Sequence, residues 1–235
     1  MRVVVTRPQF DGERTAAALR ARGHDVLLAP LMRIESLGAD LAGTWSAVIV
    51  TSANAVSAIA DNPARDGLTK LPLFAVGQRS ADAARAAGFS NVTSADGDAR
   101  DLLRILVALR MTAKAPMIYL AGEDRTVDLV SELSGYGVGA EMRIVYRAIT
   151  APFPSGLVGA LASGEIDAVL HFSRRSAENY IAGARNAGIV GPALTVRQFC
   201  LSAQVAEPLA GASQIFIAVR PDEAALMELL QVSKA

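Results

Sequence analysis

The sequence is poor in cysteine, which limits the kinds of site that it can build. Cys200 is the single cysteine among the 235 residues, and it lies within the apolar run QFCL. One cysteine excludes an internal disulfide bond and a cluster of thiolate metal ligands. A small side chain in an apolar run is typical of a core position, so we expect Cys200 to pack in the core and not to act as a nucleophile.

Long apolar runs are also lacking. The apolar runs extend over roughly 4 to 8 residues, whereas a helix that crosses a membrane needs about 20. The first residues, MRVVVTRP, are typical of a β-strand and not of a signal peptide. These features predict a cytoplasmic protein that has no membrane partner.

Neither the charge nor the aromatic content favours a nucleic-acid partner. The sequence has 23 basic and 23 acidic residues, four tyrosines, one tryptophan and no basic run. Proteins that bind DNA or RNA over a broad surface usually carry a basic patch or stripe. We therefore expect no nucleic acid among the partners of this chain.

The motifs that hold common cofactors and metals are missing as well. The chain has no GxGxxG after a strand, no P-loop, no HExxH and no GxSxG. His24 and His171 are the only histidines; we predict a surface turn for the first and a core position for the second. No grouping offers metal ligands or a spaced pair of carboxylates. We expect no metal and no cofactor, so an enzyme with this sequence would act by binding and shaping its substrate.

The sequence shows instead a regular alternation of short apolar runs with segments of helical periodicity. This pattern is typical of βα units that build parallel sheets, so the predicted fold class is α/β. The predicted strands are 3–6, 26–29, 47–51, 73–76, 91–93, 117–120, 140–145, 168–172, 196–201 and 214–218. Six segments have apolar residues three and four apart, which gives each helix one apolar face; they are 13–22, 79–87, 99–110, 126–136, 177–187 and 222–232.

The order of these units repeats along the chain. AVIVTSANAV at 47–56 and AVLHFSRRSA at 168–177 each break at a serine and continue as a helix, and two further strand and helix units follow each of them. The segments in front of them, 3–31 and 117–145, also correspond. The chain is therefore predicted to contain two copies of one βα module.

Two stretches interrupt the alternation and are candidate connections between domains. They are LMRIESLGADLAGTW at 31–45 and RIVYRAITAPFPSG at 143–156. If the chain crosses in both, residues 1–36 and 148–235 form one discontinuous α/β domain, and residues 37–147 form a second, inserted α/β domain. A single cut near residue 113 is the alternative. Pro152 and Pro154 make the second stretch suitable as a linker.

Turns that carry hydroxyl groups or glycine follow several predicted strands. In open α/β sheets, ligands bind at the carboxyl ends of the strands, where unpaired N–H groups of the next helix carry partial positive charge. Helix capping alone would also explain a serine at each turn. The number of such turns nevertheless predicts a polyanion held in a cleft between the two domains. The turns lie at Thr6-Arg7, Thr51-Ser52, Gly77 to Ser80, Gly122 to Arg125, Ser173 and Ser202 to Gln204.

Five segments resemble uroporphyrinogen-III synthases, the cyclases of porphyrin and heme biosynthesis. In chain order they are VTSANAV, LFAVGQRSADAARAAGF, YLAGEDR, MRIVYRA and HFSRRSAENY. The resemblance spans nearly the whole chain. It implies two similar three-layer, flavodoxin-like α/β domains joined by a two-stranded linker, which favours the discontinuous arrangement.

The resemblance also implies an activity. Enzymes of this family are cytosolic, cofactor-free and usually monomeric. They cyclise the linear tetrapyrrole hydroxymethylbilane to uroporphyrinogen III, with loss of water and inversion of ring D. A transient contact with the deaminase that supplies the substrate is left open.

Site residues follow from the resemblance position by position. The family's Thr-Ser turn matches Thr51 and Ser52, and its Val-Gly-x-x-Thr/Ser turn matches Gly77 and Ser80. The Phe-Ser turn of the family's second domain matches Phe172 and Ser173. With the other turns named above, the expected substrate-binding residues are Thr6, Arg7, Thr51, Ser52, Gly77, Ser80, Gly122, Ser173, Arg174, Ser202 and Gln204.

Tyr146 matches the tyrosine of the family's Val-Tyr segment and is the candidate for direct chemistry. It would donate a proton to the leaving hydroxyl or orient that group. The alternative is an amphipathic tyrosine with its ring on a domain edge and its hydroxyl in water. The chain departs from the family at Ser202 to Gln204, where many members have a glycine and two threonines, so we expect this loop to bind differently.

Two other kinds of function remain open from the sequence. Two α/β modules without a catalytic constellation are also the architecture of anion-binding and sensory proteins, which would hold the tetrapyrrole unchanged. A flavodoxin-type redox protein is the third interpretation. Turnover distinguishes the enzyme from the binding module, and a yellow purified protein would indicate the flavin.

Overall fold

The chain forms two compact units. The computed structural model describes residues 1–109, 115–125 and 127–232. Unit 1 comprises Met1–Arg33 and Ile149–Ala235, and unit 2 comprises Ile34–Ala148. Unit 2 is therefore inserted between two segments of unit 1. The alternative cut near residue 113 lies outside the described residues, as do Arg110 and Thr126 at the ends of two predicted helices.

Strands and helices alternate along most of the described chain. The strands are β1 (Arg2–Val5), β2 (Asp25–Leu28), β3 (Met32–Ser36), β4 (Val48–Val50), β5 (Leu73–Ala75), β6 (Val92–Ser94), β7 (Met117–Gly122), β8 (Ala140–Thr150), β9 (Ala168–His171), β10 (Arg197–Cys200) and β11 (Ile215–Ile217). The helices are α1 (Gln9–Ala21), α2 (Ala53–Ala58), α3 (Arg65–Leu68), α4 (Gln78–Ala86), α5 (Ala99–Ala108), α6 (Leu129–Gly135), α7 (Ser155–Ala162), α8 (Arg174–Asn186), α9 (Val190–Thr195), α10 (Ala203–Ala206) and α11 (Glu223–Val232).

Each unit is built on one mainly parallel sheet. The sheet of unit 1 has the order β2-β1-β9-β10-β11, and all its neighbouring strands run parallel. The sheet of unit 2 has the order β3-β8-β7-β4-β5-β6, and β8 through β6 run parallel. Together with the helices, these sheets confirm the predicted α/β class.

The strands β3 and β8 carry the chain from one unit to the other and back. The amide of Leu37 donates to the carbonyl of Val145 at 2.8 Å, and the amide of Ala151 donates to the carbonyl of Leu31 at 3.1 Å. The numbering thus rises on one strand as it falls on the other, which makes the pair antiparallel. These strands form the two-stranded linker.

The two sheets share one topology, and each sheet combines strands from both predicted copies of the module. Position by position, β2-β1-β9-β10-β11 corresponds to β8-β7-β4-β5-β6. Unit 1 therefore combines the leading segment of the first predicted copy with the trailing segment of the second. Unit 2 combines the remaining two segments.

Helices cover both faces of each sheet, because alternate strand residues point to opposite faces. In unit 2, Val56 of α2 packs on the face of Val48, whereas Leu102 of α5 packs on the face of Ile49. In unit 1, Tyr180 of α8 packs on the face of Val4. Leu19 of α1 and Leu226 of α11 pack on the opposite face, that of Val3. Both units are thus three-layer structures.

A buried polar cluster lies in unit 1 at the end of β9. The amide nitrogen of Gln198 donates to the carbonyls of Ala193 and Val196 at 2.9 and 2.8 Å, so its oxygen faces His171 Nε2 at 2.8 Å. An oxygen there accepts a hydrogen bond, so Nε2 of His171 carries the proton. His171 is fully buried and Nδ1 has no hydrogen-bond partner among the described residues. The predicted core position of His171 is confirmed.

Three details differ from the sequence predictions. β3 lies within a stretch that was expected only to connect domains, and β8 continues five residues past the predicted end at 145 because it also pairs with β3. His24 is 5 % exposed, so the predicted surface turn is wrong. Helical periodicity does not show which side of the turn after α1 faces the core, and the sequence could not reveal this burial.

Cys200 is buried as expected. Across the described part of the chain, no helix has the length and apolar character needed to cross a membrane.

Candidate active site

A pocket of about 630 Å³ lies at the carboxyl ends of the central strands of unit 2. Thr51 and Ser52 follow β4, Gly122 is the last residue of β7, and Tyr146 lies on β8; all four line the pocket. Ala99 and Leu129, at the starts of α5 and α6, close it on the side of those helices. The carboxyl edge of the sheet is where open α/β folds bind ligands.

The strand register explains why Thr51 meets a buried tyrosine. β4 and β7 are neighbours, with Ile49 opposite Tyr119. Residues two apart on a strand share a face, so Thr51 projects on the same side as Ile49 and Tyr119. The hydroxyls of Thr51 and Tyr119 share a hydrogen bond of 3.0 Å. Burial raises the pKa of Tyr119 and outweighs the hydrogen bond with Thr51, which lowers it, so the Tyr119 hydroxyl keeps its proton.

Tyr146 reaches the pocket because the residue opposite it has no side chain. Gly122 pairs with Tyr146 across a register shift in the ladder of β7 and β8. A Cβ atom built on Gly122 would lie 2.7 Å from the Tyr146 hydroxyl oxygen. The ring therefore occupies the space that any larger residue at 122 would fill. The amide of Glu123 donates to the carbonyl of Tyr146 at 2.9 Å and fixes the turn beside it.

The charges around the pocket are mixed. Arg125 is the only cation among the described residues that line it, and its guanidinium donates to the carbonyl of Glu123 at 3.0 Å. Glu123 interacts electrostatically with Arg147, which also donates to the Glu35 carboxylate at 2.6 Å. That hydrogen bond, with the charge of Glu35, raises the pKa of Arg147. Hydroxyl and guanidinium donors, more than a large positive field, can thus hold anions here.

The remaining predicted residues of unit 2 lie at the same sheet edge. Ser52 caps α2, and its oxygen accepts a hydrogen bond from the amide of Asn54 at 3.2 Å. Gly77 is the residue before α4 and follows β5, the neighbour of β4. Ser80 is 6 % exposed, in the first turn of α4. Neither Gly77 nor Ser80 lines the pocket of Thr51 and Tyr146.

In unit 1, Thr6 and Arg7 are engaged in contacts within the protein. The hydroxyl of Thr6 is fully buried and donates to the carbonyl of Leu170 at 2.9 Å. Arg7 donates to Glu223 at 2.9 Å, and its guanidinium carbon lies 4.3 Å from the centre of the Phe172 ring. The side chain of Thr6 is therefore closed to a ligand, whereas Arg7 has 15 % of its side chain exposed.

The other predicted residues of unit 1 follow two neighbouring strands, β9 and β10. They are Ser173 and Arg174 after β9, and Ser202 and Gln204 after β10. The oxygens of Ser173 and Ser202 accept hydrogen bonds from the amides of Ser176 and Val205 at 3.1 and 3.4 Å, which is helix capping. Arg174 forms ion pairs with Glu178 and Glu207, and these raise its pKa. Gln204 is exposed. The structure thus brings these four residues to one edge of the unit 1 sheet.

A family model described as "HEM4: Uroporphyrinogen-III synthase HemD" matches residues 13–228. The chain belongs to the uroporphyrinogen-III synthase family. Its activity is the cyclisation of hydroxymethylbilane to uroporphyrinogen III, with loss of water and inversion of ring D. The binding-module and flavodoxin alternatives are accordingly not favoured.

Solved synthases show the same fold. The uroporphyrinogen-III synthetase of Helicobacter pylori is 17 % identical, covers 99 % of this chain and 100 % of its own, and superposes with a TM-score of 0.65. A mutant uroporphyrinogen III synthase of Thermus thermophilus is 20 % identical over 100 % of both chains, with a TM-score of 0.51. No curated protein sequence matches this chain significantly.

Tyr119 and Arg125 also line the unit 2 pocket, although neither was predicted as a site residue from the sequence. Tyr119 lies inside the apolar run of β7, where an aromatic residue is typical of the core. Arg125 belongs to a predicted turn but carried no feature that set it apart from other arginines. The order β7-β4 in the sheet brings both to Thr51. No local signal in the sequence marked Tyr119, because a tyrosine inside an apolar strand is equally typical of the core.

Proposed function

We propose that the pocket of unit 2 binds hydroxymethylbilane through its carboxylates and that Tyr146 acts on the leaving hydroxyl. The proposal rests on one observation: four residues that carry hydroxyl or guanidinium donors, Thr51, Ser52, Arg125 and Tyr146, all line one pocket. The matching family supplies the reaction, and the pocket supplies the groups that the reaction needs.

The substrate carries eight carboxylates, so it requires hydrogen-bond donors. Thr51 and Arg125 each offer such donors to the pocket. The oxygen of Ser52 accepts from the Asn54 amide, and this bond does not use the hydroxyl proton, which can go to a carboxylate. A charge-assisted hydrogen bond contributes roughly 1.5 to 3 kcal/mol, so a few of them would hold one side of the substrate firmly.

Tyr146 is the proposed proton donor. Its ring is partly buried, its hydroxyl lies beside Gly122, and both residues line the pocket. Loss of the hydroxyl from hydroxymethylbilane needs a proton on that oxygen as the carbon–oxygen bond breaks. A phenol positioned within hydrogen-bond reach can supply it.

Control of geometry is the other part of the mechanism. The azafulvene that forms on water loss closes spontaneously to the uninverted type I isomer. The type III product requires attack at the substituted carbon of ring D. A substrate held by several carboxylates in one folded shape brings those atoms together, and such a proximity effect can be large without a strong acid or base.

Unit 1 is proposed to bind further carboxylates at the carboxyl edge of its own sheet. Ser173 and Ser202 lie there with Arg174 and Gln204 on partly or fully exposed positions. The ion pairs of Arg174 with Glu178 and Glu207 are exposed, and exposed pairs contribute little, so a substrate carboxylate can compete for the guanidinium.

The experiment measures which uroporphyrinogen isomer the protein forms. Hydroxymethylbilane is generated with a deaminase, and the products are oxidised and separated into type I and type III uroporphyrin. We expect predominantly type III from the wild type, and a rise in KM for the Thr51→Ala, Ser52→Ala double variant at unchanged fold. Ser57→Ala, an exposed residue of the same α2 helix, is the matched control. Wild-type kinetics in the double variant would reject the site, and type I alone from folded wild type would reject the activity.

Cytoplasmic location, a monomeric state and transient contact with the deaminase remain predictions. Gel filtration of the purified protein with and without the deaminase tests the last two. The expected result is a monomer whose elution shifts little on mixing.

A further inference from the structure

Tyr119 is the most buried of the described polar side chains that line the unit 2 pocket. It is 3 % exposed, and its ring packs with Ile49, Leu102 and Leu129 in the core between the sheet and helices α5 and α6. The core therefore fixes where the phenol oxygen lies. So little of the side chain is accessible that direct contact with a substrate is limited to the hydroxyl edge.

The hydroxyl of Tyr119 has one hydrogen-bond partner among the described residues, the Thr51 hydroxyl at 3.0 Å. Both residues line the pocket, and Thr51 is the more exposed of the two, so its hydroxyl is the more accessible to a ligand. A threonine hydroxyl has one proton to donate and can rotate about its own bond. The direction of the hydrogen bond with Tyr119 therefore decides whether Thr51 presents its proton or its lone pairs to a ligand.

Only one direction of this hydrogen bond suits an anionic ligand. If Thr51 donated to Tyr119, its lone pairs would face the pocket and would repel a carboxylate. If Tyr119 donates to Thr51, the Thr51 proton is directed away from Tyr119 and toward the pocket. Burial keeps Tyr119 protonated, so it remains able to donate. Successive hydroxyl hydrogen bonds of this kind also polarise and strengthen one another.

We propose that Tyr119 is a positioning residue that orients the Thr51 hydroxyl as a hydrogen-bond donor toward a carboxylate of the substrate. This inference rests on the proposed function, because it assumes that Thr51 binds a carboxylate. It adds that the tetrapyrrole carboxylate at this point is recognised by a chain of two hydroxyls, of which only the outer one contacts the ligand.

The test is a double-mutant cycle on the coupled deaminase assay. The variants are Tyr119→Phe, Thr51→Val and the double variant, each measured for KM, kcat and melting temperature. Tyr119→Phe removes only the phenol oxygen. Tyr136→Phe makes the same change at a tyrosine that is 65 % exposed, and serves as the control.

We expect Tyr119→Phe to raise KM about fivefold, the loss of roughly one hydrogen bond, with kcat within about twofold of wild type. In the Thr51→Val background, where the outer hydroxyl is already absent, Tyr119→Phe should have no further effect on KM. A purely structural role would lower the melting temperature without this dependence on residue 51.

Two results would overturn the inference. They are an unchanged KM in Tyr119→Phe, whether or not kcat falls, and the same rise in KM with and without the Thr51 hydroxyl. The underlying site is tested separately by Thr51→Val alone: wild-type KM there rejects the proposed function of this pocket. A raised KM in Thr51→Val with none in Tyr119→Phe rejects only the positioning role.

Discussion

Gly122 lies opposite Tyr146 in the pair of strands β7 and β8, and the phenol of Tyr146 occupies the place of a side chain at position 122. A Cβ atom at position 122 would approach the ring carbon that bears the hydroxyl to 2.6 Å and the hydroxyl oxygen to 2.7 Å. Real contacts of a Cβ atom are not that short. The glycine is thus a condition for the position of the tyrosine, and the two residues act as one feature of the pocket.

The first prediction concerns Gly122→Ala. The added methyl group must displace the Tyr146 ring, so we expect kcat to fall about as far as in Tyr146→Phe, with a loss of stability of about 1 to 3 kcal/mol from overpacking. Gly139→Ala is the control, because among the described residues its Cβ would approach nothing closer than Pro116 at 3.8 Å. Steady-state kinetics and chemical unfolding measure both effects. Wild-type kcat in Gly122→Ala would show that the position of the ring is not important.

The second prediction concerns the proton donor itself. Tyr146→Phe keeps the ring and removes the phenol oxygen, so we expect kcat to fall about 10- to 100-fold while KM changes little. The rate of type III formation under substrate saturation measures this effect. If KM rose instead and kcat stayed the same, Tyr146 would be a binding residue and not a proton donor.

The third prediction is a dependence of stability on pH through His171. Burial lowers the pKa of His171 from 6.5 to about 4, partly opposed by the hydrogen bond with Gln198. Below about pH 6.5 the unfolded chain binds a proton that the folded chain does not, so stability falls as the pH drops from there toward 4. We expect this group to remove about 2 kcal/mol between about pH 7 and pH 5.

Urea unfolding followed by circular dichroism at both pH values tests it. His171→Gln keeps an N–H donor for the Gln198 oxygen but does not titrate in this range. Its loss of stability between the two pH values should be smaller than that of the wild type. Equal losses in the two proteins would assign the effect to other groups.

The fourth prediction concerns Glu223, which holds α11 to α1 in unit 1. Its carboxylate accepts hydrogen bonds from Thr15 at 2.6 Å, Arg14 at 2.7 Å and Arg7 at 2.9 Å. Glu223→Gln removes the charge beside the partly buried Arg7, so we expect a loss of about 1 to 2 kcal/mol of unfolding free energy. Glu228→Gln, an exposed change on the same helix, should cost little. A similar melting temperature for both variants would contradict the prediction.

The sequence pattern predicted the strands well because most of them are buried on both faces. All ten predicted strands are present, since runs such as AVIV and AVLH are apolar without interruption. β3 was not predicted as a strand. Met32 and Ile34 alternate with Arg33 and Glu35 there, and the edge position beside β8 permits this weaker pattern.

The site was less predictable because its residues meet across strands that are distant in sequence. Thr51 and Tyr119 are 68 residues apart and become neighbours only because β4 lies beside β7. Turn chemistry marked Thr51, Ser52 and Gly122, but no local pattern distinguishes a core tyrosine from one whose hydroxyl reaches a pocket. The turn pattern at Thr6-Arg7 also did not reveal that the side chain of Thr6 is buried.

The inserted arrangement fixes the order in which the two sheets can be completed during synthesis. Every strand of the unit 2 sheet has been synthesised once β8 is made, so that sheet can close without any later part of the chain. β1 and β2 are translated first, yet β1 lies between β2 and β9 and must wait for a partner that arrives more than half a chain later. Until then β1 presents an open edge in the nascent chain, and strand edges of that kind are where misassembly and aggregation begin.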